Sequence, residues 1–218
     1  MSSDLKVANI KHADSASNNL VLGSDGSATA TLSSTSVVPA SVGGAMVYLE
    51  KFTASNTSSK TFNLTAFSTY NHYKLIINGL ESSLDNYNLR GYLWVDGTGW
   101  LESSGHYRTS GRKAYYNGSS SGATTNANTT SSFILVQSVG NDATYGVNGE
   151  INIFHPRNSS VSTACTYLMN SFASDSYVYV TYASSFRLNA EDNNYIKMNF
   201  GSSSMESGTI TLYGIKDA

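Results

Sequence analysis

Cysteine and charge are both scarce in this sequence, and each scarcity excludes something. The 218 residues hold one cysteine, Cys165. No intramolecular disulfide can staple the fold, so its stability must come from packing and assembly. Cys165 sits in the alternating stretch Ala164-Cys165-Thr166-Tyr167, which reads as a strand carrying a small buried hydrophobe. Charged residues make up 13% of the chain, about half of the ~25% usual in globular proteins. The formal net charge is −2, with no run of Lys or Arg. Nucleic acids and anionic membranes are gripped through a basic footprint, so neither is an expected partner. No run of 18 apolar residues occurs, and membrane insertion is not expected. Met1-Ser2-Ser3-Asp4-Leu5-Lys6 lacks the apolar centre of a signal peptide, which implies synthesis in a cytosol without ordinary export.

Ser, Thr, Asn and Gly occupy the places that charge leaves, together with 15 tyrosines. The first four compete poorly for helix interiors, whereas Thr and Tyr suit a half-buried pleated surface. The expected class is all-β: an antiparallel, jelly-roll-like β-sandwich preceded by a short extended N-terminal β-arm. The division falls at about residue 40, giving an arm over 1–40 and a sandwich domain over 41–218.

In the arm, Leu5, Val7 and Ile10 precede a polar stretch. Leu20-Val21-Leu22 and Ala28 to Leu32 then flank Gly23-Ser24-Asp25-Gly26, an Asp-Gly turn signal. Strands this short cannot bury a core of their own, so the arm is expected to serve attachment or inter-subunit packing. Ser33 to Gly44, with Pro39 and Gly43-Gly44, reads as the linker.

Beyond it, strands are expected at Met46–Phe52, Thr61–Leu64, Tyr73–Asn78, Tyr87–Val95, Phe133–Val139, Glu150–Phe154, Tyr177–Ala183, Tyr195–Phe200 and Thr209–Ile215. Tyr167–Phe172 is left undecided. The alternation in Tyr87–Val95 puts Tyr87, Leu89, Gly91, Leu93 and Val95 on one face and Asn88, Arg90, Tyr92 and Trp94 on the other. Aromatics on the second face imply that it too is partly covered. No helical apolar stripe persists for three turns.

The stretch from Gly97 to Ser132 is polar and irregular, and reads as loop. Its Trp100, His106, Tyr107, Arg108, Tyr115 and Tyr116 are the candidate residues for surface recognition or subunit contact, because polar loops rich in aromatics are common binding surfaces.

Residues that could carry chemistry form no constellation. His12, His72, His106 and His155 lie at no metal-ligand spacing from one another or from Cys165. No Gly-x-Ser-x-Gly elbow, P-loop or dinucleotide fingerprint occurs. Glu50, Glu81, Asp85, Asp96, Glu102, Glu150, Glu191 and Asp192 offer no pairing that sequence alone can position for glycoside hydrolysis. Asp96-Gly97-Thr98-Gly99 lacks the alternating carboxylates of a calcium loop and reads as a turn. No catalytic, cofactor or metal site is assigned, and an enzyme is not expected.

Three stretches carry a resemblance. They are Val7-Ala8-Asn9-Ile10 with Asn19 to Ser27; Glu50 to Asn56 with Thr61-Phe62 and Tyr70 to Tyr73; and Ser207 to Lys216 with its Gly-Thr-Ile-x-Leu-Tyr-Gly strand, supported by Gly149 to Ile153 and Pro156. Together they resemble virion structural proteins of tailed bacteriophages, particularly those of marine and cyanobacterial hosts. The resemblance implies a tail-fibre or appendage protein that acts in assembly and host attachment. It implies a place in the virion after release by lysis, with other virion proteins as partners and a homo-oligomer, a trimer in first place. A capsid decoration (head-fibre) protein is the alternative. A carbohydrate-binding module that meets a host-surface glycan through Trp94, Trp100 and the Tyr-rich loops is the third reading.

Overall fold

The computed structural model describes residues 9–10, 20–22, 28–30, 46–103, 105–117, 121–141, 146–173 and 177–216. The chain divides into two compact units, Met1–Val42 and Gly43–Asp217. In the first, β1 (Asn9–Ile10), β2 (Leu20–Leu22) and β3 (Ala28–Ala30) form an antiparallel sheet in that order. Asn9 stands opposite Val21 and Leu20 opposite Ala30. Leu5, Val7, the Gly23–Gly26 turn and the Ser33–Gly44 linker lie outside the described residues.

The second unit contains β4 (Met46–Thr53), β5 (Ser59–Asn63), β6 (His72–Leu80), β7 (Tyr87–Val95), β8 (Gly99–Trp100), β9 (Tyr107–Tyr116), β10 (Ser121–Thr130) and β11 (Phe133–Val139). It continues with β12 (Val147–Phe154), β13 (Ala164–Phe172), β14 (Val178–Arg187), β15 (Asn193–Asn199) and β16 (Thr209–Ile215). One 3-10 turn, Thr65–Phe67, is the sole helical element among the described residues. The strands form two antiparallel sheets packed as a sandwich. The larger has the order β10-β9-β14-β13-β12-β6-β16-β4, and the smaller β11-β7-β15-β5, with β8 paired to β7.

The topology follows from nested pairing. β4 pairs with β16, β5 with β15, β6 with β12 and β7 with β11, all antiparallel. A long two-stranded ribbon has in effect been rolled up, which is the jelly-roll arrangement. Two excursions depart from it. β8 to β10 lie between β7 and β11, and β13 to β14 between β12 and β15. Four of their strands (β13, β14, β9 and β10) extend the larger sheet beyond β12.

The sandwich is filled from both inner faces. Tyr73, Leu75, Ile77, Ile151, Ile153, Ile210 and Leu212 come from the larger sheet, and Phe62, Leu89, Leu93, Phe133, Ile196 and Met198 from the smaller. Each such aliphatic side chain contributes about 1.5–3 kcal/mol when buried. Of the expected face of Tyr87–Val95, Leu89, Gly91, Leu93 and Val95 are buried and Tyr87 packs partly buried against the core; Ile210, Leu212 and Gly214 of β16 are buried as well. Gly91 is required by close approach: a Cβ there would lie 1.9 Å from Phe133 Cε2, its cross-strand neighbour.

The expectation of loop between Gly97 and Ser132 is corrected. Tyr107–Tyr116 and Ser121–Thr130 form a hairpin in unbroken ten-residue register, and β9 pairs equally along β14. The Ser/Thr/Asn/Gly sequence hides this because it lacks an apolar alternation. The neighbouring strand, a non-local partner, supplies the order. Tyr167–Phe172, undecided in sequence, belongs to β13, paired on both sides.

Candidate interaction surface

The extension of the larger sheet has two contrasting faces. Along β13, Cys165, Tyr167, Met169 and Ser171 point inward and are buried, and along β14 so do Tyr179, Ala183, Ser185 and Arg187. The alternate residues point outward, and many are apolar. Tyr182 is 63% exposed, Tyr116 56%, Phe186 51%, Leu168 50%, and Val178 and Val180 42% each. Cross-strand register makes them neighbours: Leu168 opposes Tyr182, Val178 opposes both Phe172 and Tyr116, and Phe186 opposes Ala164. A polar row, Asn152, Thr166, Ser184 and Ser110, separates the Phe186 end from the Leu168–Tyr182 row. Exposed apolar side chains gathered on one sheet face in this way mark interaction sites in soluble proteins.

Charges flank the patch on opposite sides. The row through Leu168 and Tyr182 continues to Glu150 on β12 and to Arg112 on β9. Glu150 Oε2 is 3.0 Å from Lys74 Nζ. Arg108 opposes Phe186 two outward rows further along the strands.

The inner side of the extension is occupied. Tyr107 accepts the Leu93 amide at 2.8 Å, and Tyr167 donates to the Ile134 carbonyl at 2.9 Å; both bonds join the larger sheet to the smaller. Between them, Gly111, Tyr167, Thr181 and Ala183 face Leu135 and Gln137 across a cavity of about 70 Å³. That is smaller than the ~150 Å³ void that admits benzene, and it suits a few waters better than an organic ligand. Lys113 Nζ lies 3.9 Å from the centre of the Tyr179 ring, and Tyr115, Tyr177 and Tyr179 form an aromatic cluster.

A second cluster lies on the smaller sheet. Trp94 and Trp100 meet edge to face with ring centres 5.2 Å apart, and Tyr195 joins Trp94 at 6.2 Å. Lys197 lies over Trp100 and Tyr92 and pairs with Glu102. Asp96 accepts the Trp94 indole N–H and the Asn194 amide. These contacts cover the aromatic face of β7.

The six candidate residues therefore divide among several environments. Trp100 belongs to the smaller sheet. Tyr107 is a core residue. Tyr115 packs in the tyrosine cluster. Arg108 and Tyr116 lie on the outer apolar face. His106 precedes β9, and its carbonyl accepts from Leu188 and Arg187; burial and then the Arg187 charge hold its pKa below the ordinary value, partly offset by Glu191. Leu168, Val178, Val180, Tyr182 and Phe186 are missing from that set. For Val178, Val180 and Tyr182 the signal is Tyr177-Val178-Tyr179-Val180-Thr181-Tyr182-Ala183, apolar or aromatic on both faces, so one face needs a cover beyond the core.

Several groups with nucleophilic or acid-base chemistry are engaged within the fold. Burial pushes the Cys165 thiol to about 12, far from the thiolate a nucleophile needs. Glu50, Glu102, Glu150 and Glu191 each pair with a Lys or Arg. Among the described residues no three His, Cys, Asp or Glu side chains lie together as a metal site would require. Comparison with protein-family models, with curated proteins and with solved structures finds no match.

Proposed function

We propose that this chain is a structural component of a tailed-phage virion, a tail-fibre or appendage protein that acts in assembly and host-surface attachment. One observation supports an assembly role above the rest: the apolar outer face of β13 and β14, with Tyr182 63% exposed, which a subunit contact would cover. The phage assignment rests on the resemblance of the Gly-Thr-Ile-x-Leu-Tyr-Gly ending and the arm. The resemblance also makes a three-fold homo-oligomer the first expectation. A capsid decoration protein would use the same surfaces. Labelling intact particles with an antibody to residues 97–130 tests the proposal. Signal on the tail supports an appendage, signal over the head supports decoration, and purified particles free of this protein by mass spectrometry would sink both.

A second reading, glycan binding, is favoured by the meeting of Trp94, Trp100 and Tyr195 beside the polar groups of Asp96, Glu102 and Lys197. Aromatic rings with fixed polar neighbours suit sugars, which present apolar C–H faces and hydroxyls. A glycan array with the parent chain and Trp100→Ala tests it. Binding lost in the variant supports the reading, and no binding by the parent removes it.

A further inference from the structure

We infer that the outer face of β12, β13, β14 and β9 is a self-association surface, on which two copies of this chain pack sheet against sheet about a two-fold axis parallel to the strands. The inference rests on the reading of the chain as an assembly subunit and names the partner at that surface.

The self-complementarity of the face is what commits it to a second copy. Across the strands the central row reads Glu150, Leu168, Tyr182, Arg112. Two sheets that meet face to face can be related by a two-fold along the strands or by one across them. An axis along the strands, between β13 and β14, reverses the row. Glu150 then faces Arg112 of the second copy, and Leu168 faces Tyr182 of the second copy, each twice by symmetry. An axis across the strands and centred on this row stacks Glu150 on Glu150 and Arg112 on Arg112, which like-charge repulsion disfavours.

A second row agrees independently. It reads Phe154, Ala164, Phe186, Arg108. The same axis brings the small Ala164 against the bulky Phe186 of the second copy, and the ring of Phe154 against the Arg108 guanidinium, a cation–π partner. Glu150 already holds Lys74 through Oε2, and its side chain remains 44% exposed, so its carboxylate can accept a second cation. Isologous contacts need self-complementary surfaces, whereas a three-fold contact joins two different surfaces. This face is of the first kind. A three-fold bundle, if one forms, uses other surfaces.

Charge reversal tests the inference in the full-length chain. Glu150→Arg and Arg112→Glu are both at outward positions, and thermal melting checks that each variant folds as the parent does. Sedimentation velocity over a concentration series should show the parent associating and each variant alone associating at least tenfold more weakly, because every cross-copy pair becomes like-charged. An equimolar mixture of the two variants restores opposite charges at both contacts, and should recover parent-like association as mixed dimers. Tyr182→Lys, which places charge at the centre, should weaken association and gain nothing from mixing. Association unchanged by the swaps, or not recovered on mixing, overturns this face and leaves the assembly reading standing. A parent that stays monomeric throughout and is absent from particles overturns both.

Discussion

The Leu93 amide donates to the hydroxyl of Tyr107 at 2.8 Å, across the sandwich from one sheet to the other. β11 pairs with β7 only as far as Gly91, and β8 begins its pairing at Trp94. Leu93 falls in the gap. Its carbonyl is taken by the Leu101 amide and its N–H by Tyr107, so a core tyrosine completes a ladder that the strands leave open. Tyr107→Phe strands a buried N–H, at a cost of about 1–3 kcal/mol. Urea denaturation should show that loss, while Tyr182→Phe, at an exposed position, should stay within about 0.5 kcal/mol of the parent.

Gly91→Ala should destabilise by about 1–3 kcal/mol, the usual cost of overpacking a core. The new methyl would meet the Phe133 ring. Phe133→Leu in the same chain should return part of that loss, so the double variant should be more stable than the sum of the single effects. A denaturation cycle over the four chains measures it, and strict additivity would show that the ring and glycine are not coupled.

Arg187 is buried, and Nη2 lies 2.5 Å from Glu191 Oε2. Glu191→Gln removes the carboxylate's charge from a buried guanidinium and should cost about 1.5–3 kcal/mol, the range for hydrogen bonds to charged groups. Glu191 also raises the His106 pKa against the larger effects of burial and Arg187. The same variant should therefore titrate His106 at lower pH by NMR. The folded His106 already prefers the neutral form, so its contribution to stability is present above the ordinary pKa of 6.5 and is lost as pH falls.

Alkaline pH should unfold the protein through buried acids. Burial pushes Tyr73, Tyr167 and Cys165 up to about 12, and Tyr107 higher still. The unfolded chain gives up these protons first, near 10 for Tyr and 9 for Cys. Between those values and the folded ones the native state holds more protons, so stability falls as pH rises, by about 1.4 kcal/mol per pH unit for each group. Below pH 9 the contribution is whole. Cys165→Ala should flatten the fall between pH 9 and 10 in denaturant titrations, and leave the tyrosine part above 10.

Legibility in the sequence followed the local pattern. Tyr87–Val95, Phe133–Val139 and Thr209–Ile215 have the same bounds in sequence and structure. In the first and last the inward residues alternate with period two, whereas Phe133–Val139 was legible as a short apolar run whose pairing with β7 is irregular. β9 and β10 were hidden because Arg-Thr-Ser-Gly-Arg-Lys and Ser-Gly-Ala-Thr-Thr-Asn carry no such period, and their order comes from pairing with β14. The candidate aromatics were read as one loop surface. Alternation along β9 instead sends Tyr107 and Tyr115 inward and Arg108 and Tyr116 outward, while Trp100 joins the other sheet.

By itself the sequence determined the all-β class, the absence of disulfide support and most strand positions, since these depend on composition and on contacts between near neighbours. Tertiary structure alone decided that four strands would extend one sheet past the sandwich, and that Glu150, Leu168, Tyr182 and Arg112 would stand in one row. Residues 38 positions apart in the chain, such as Glu150 and Arg112, become members of one row only when β12, β13, β14 and β9 pair in register, and no local preference encodes that pairing.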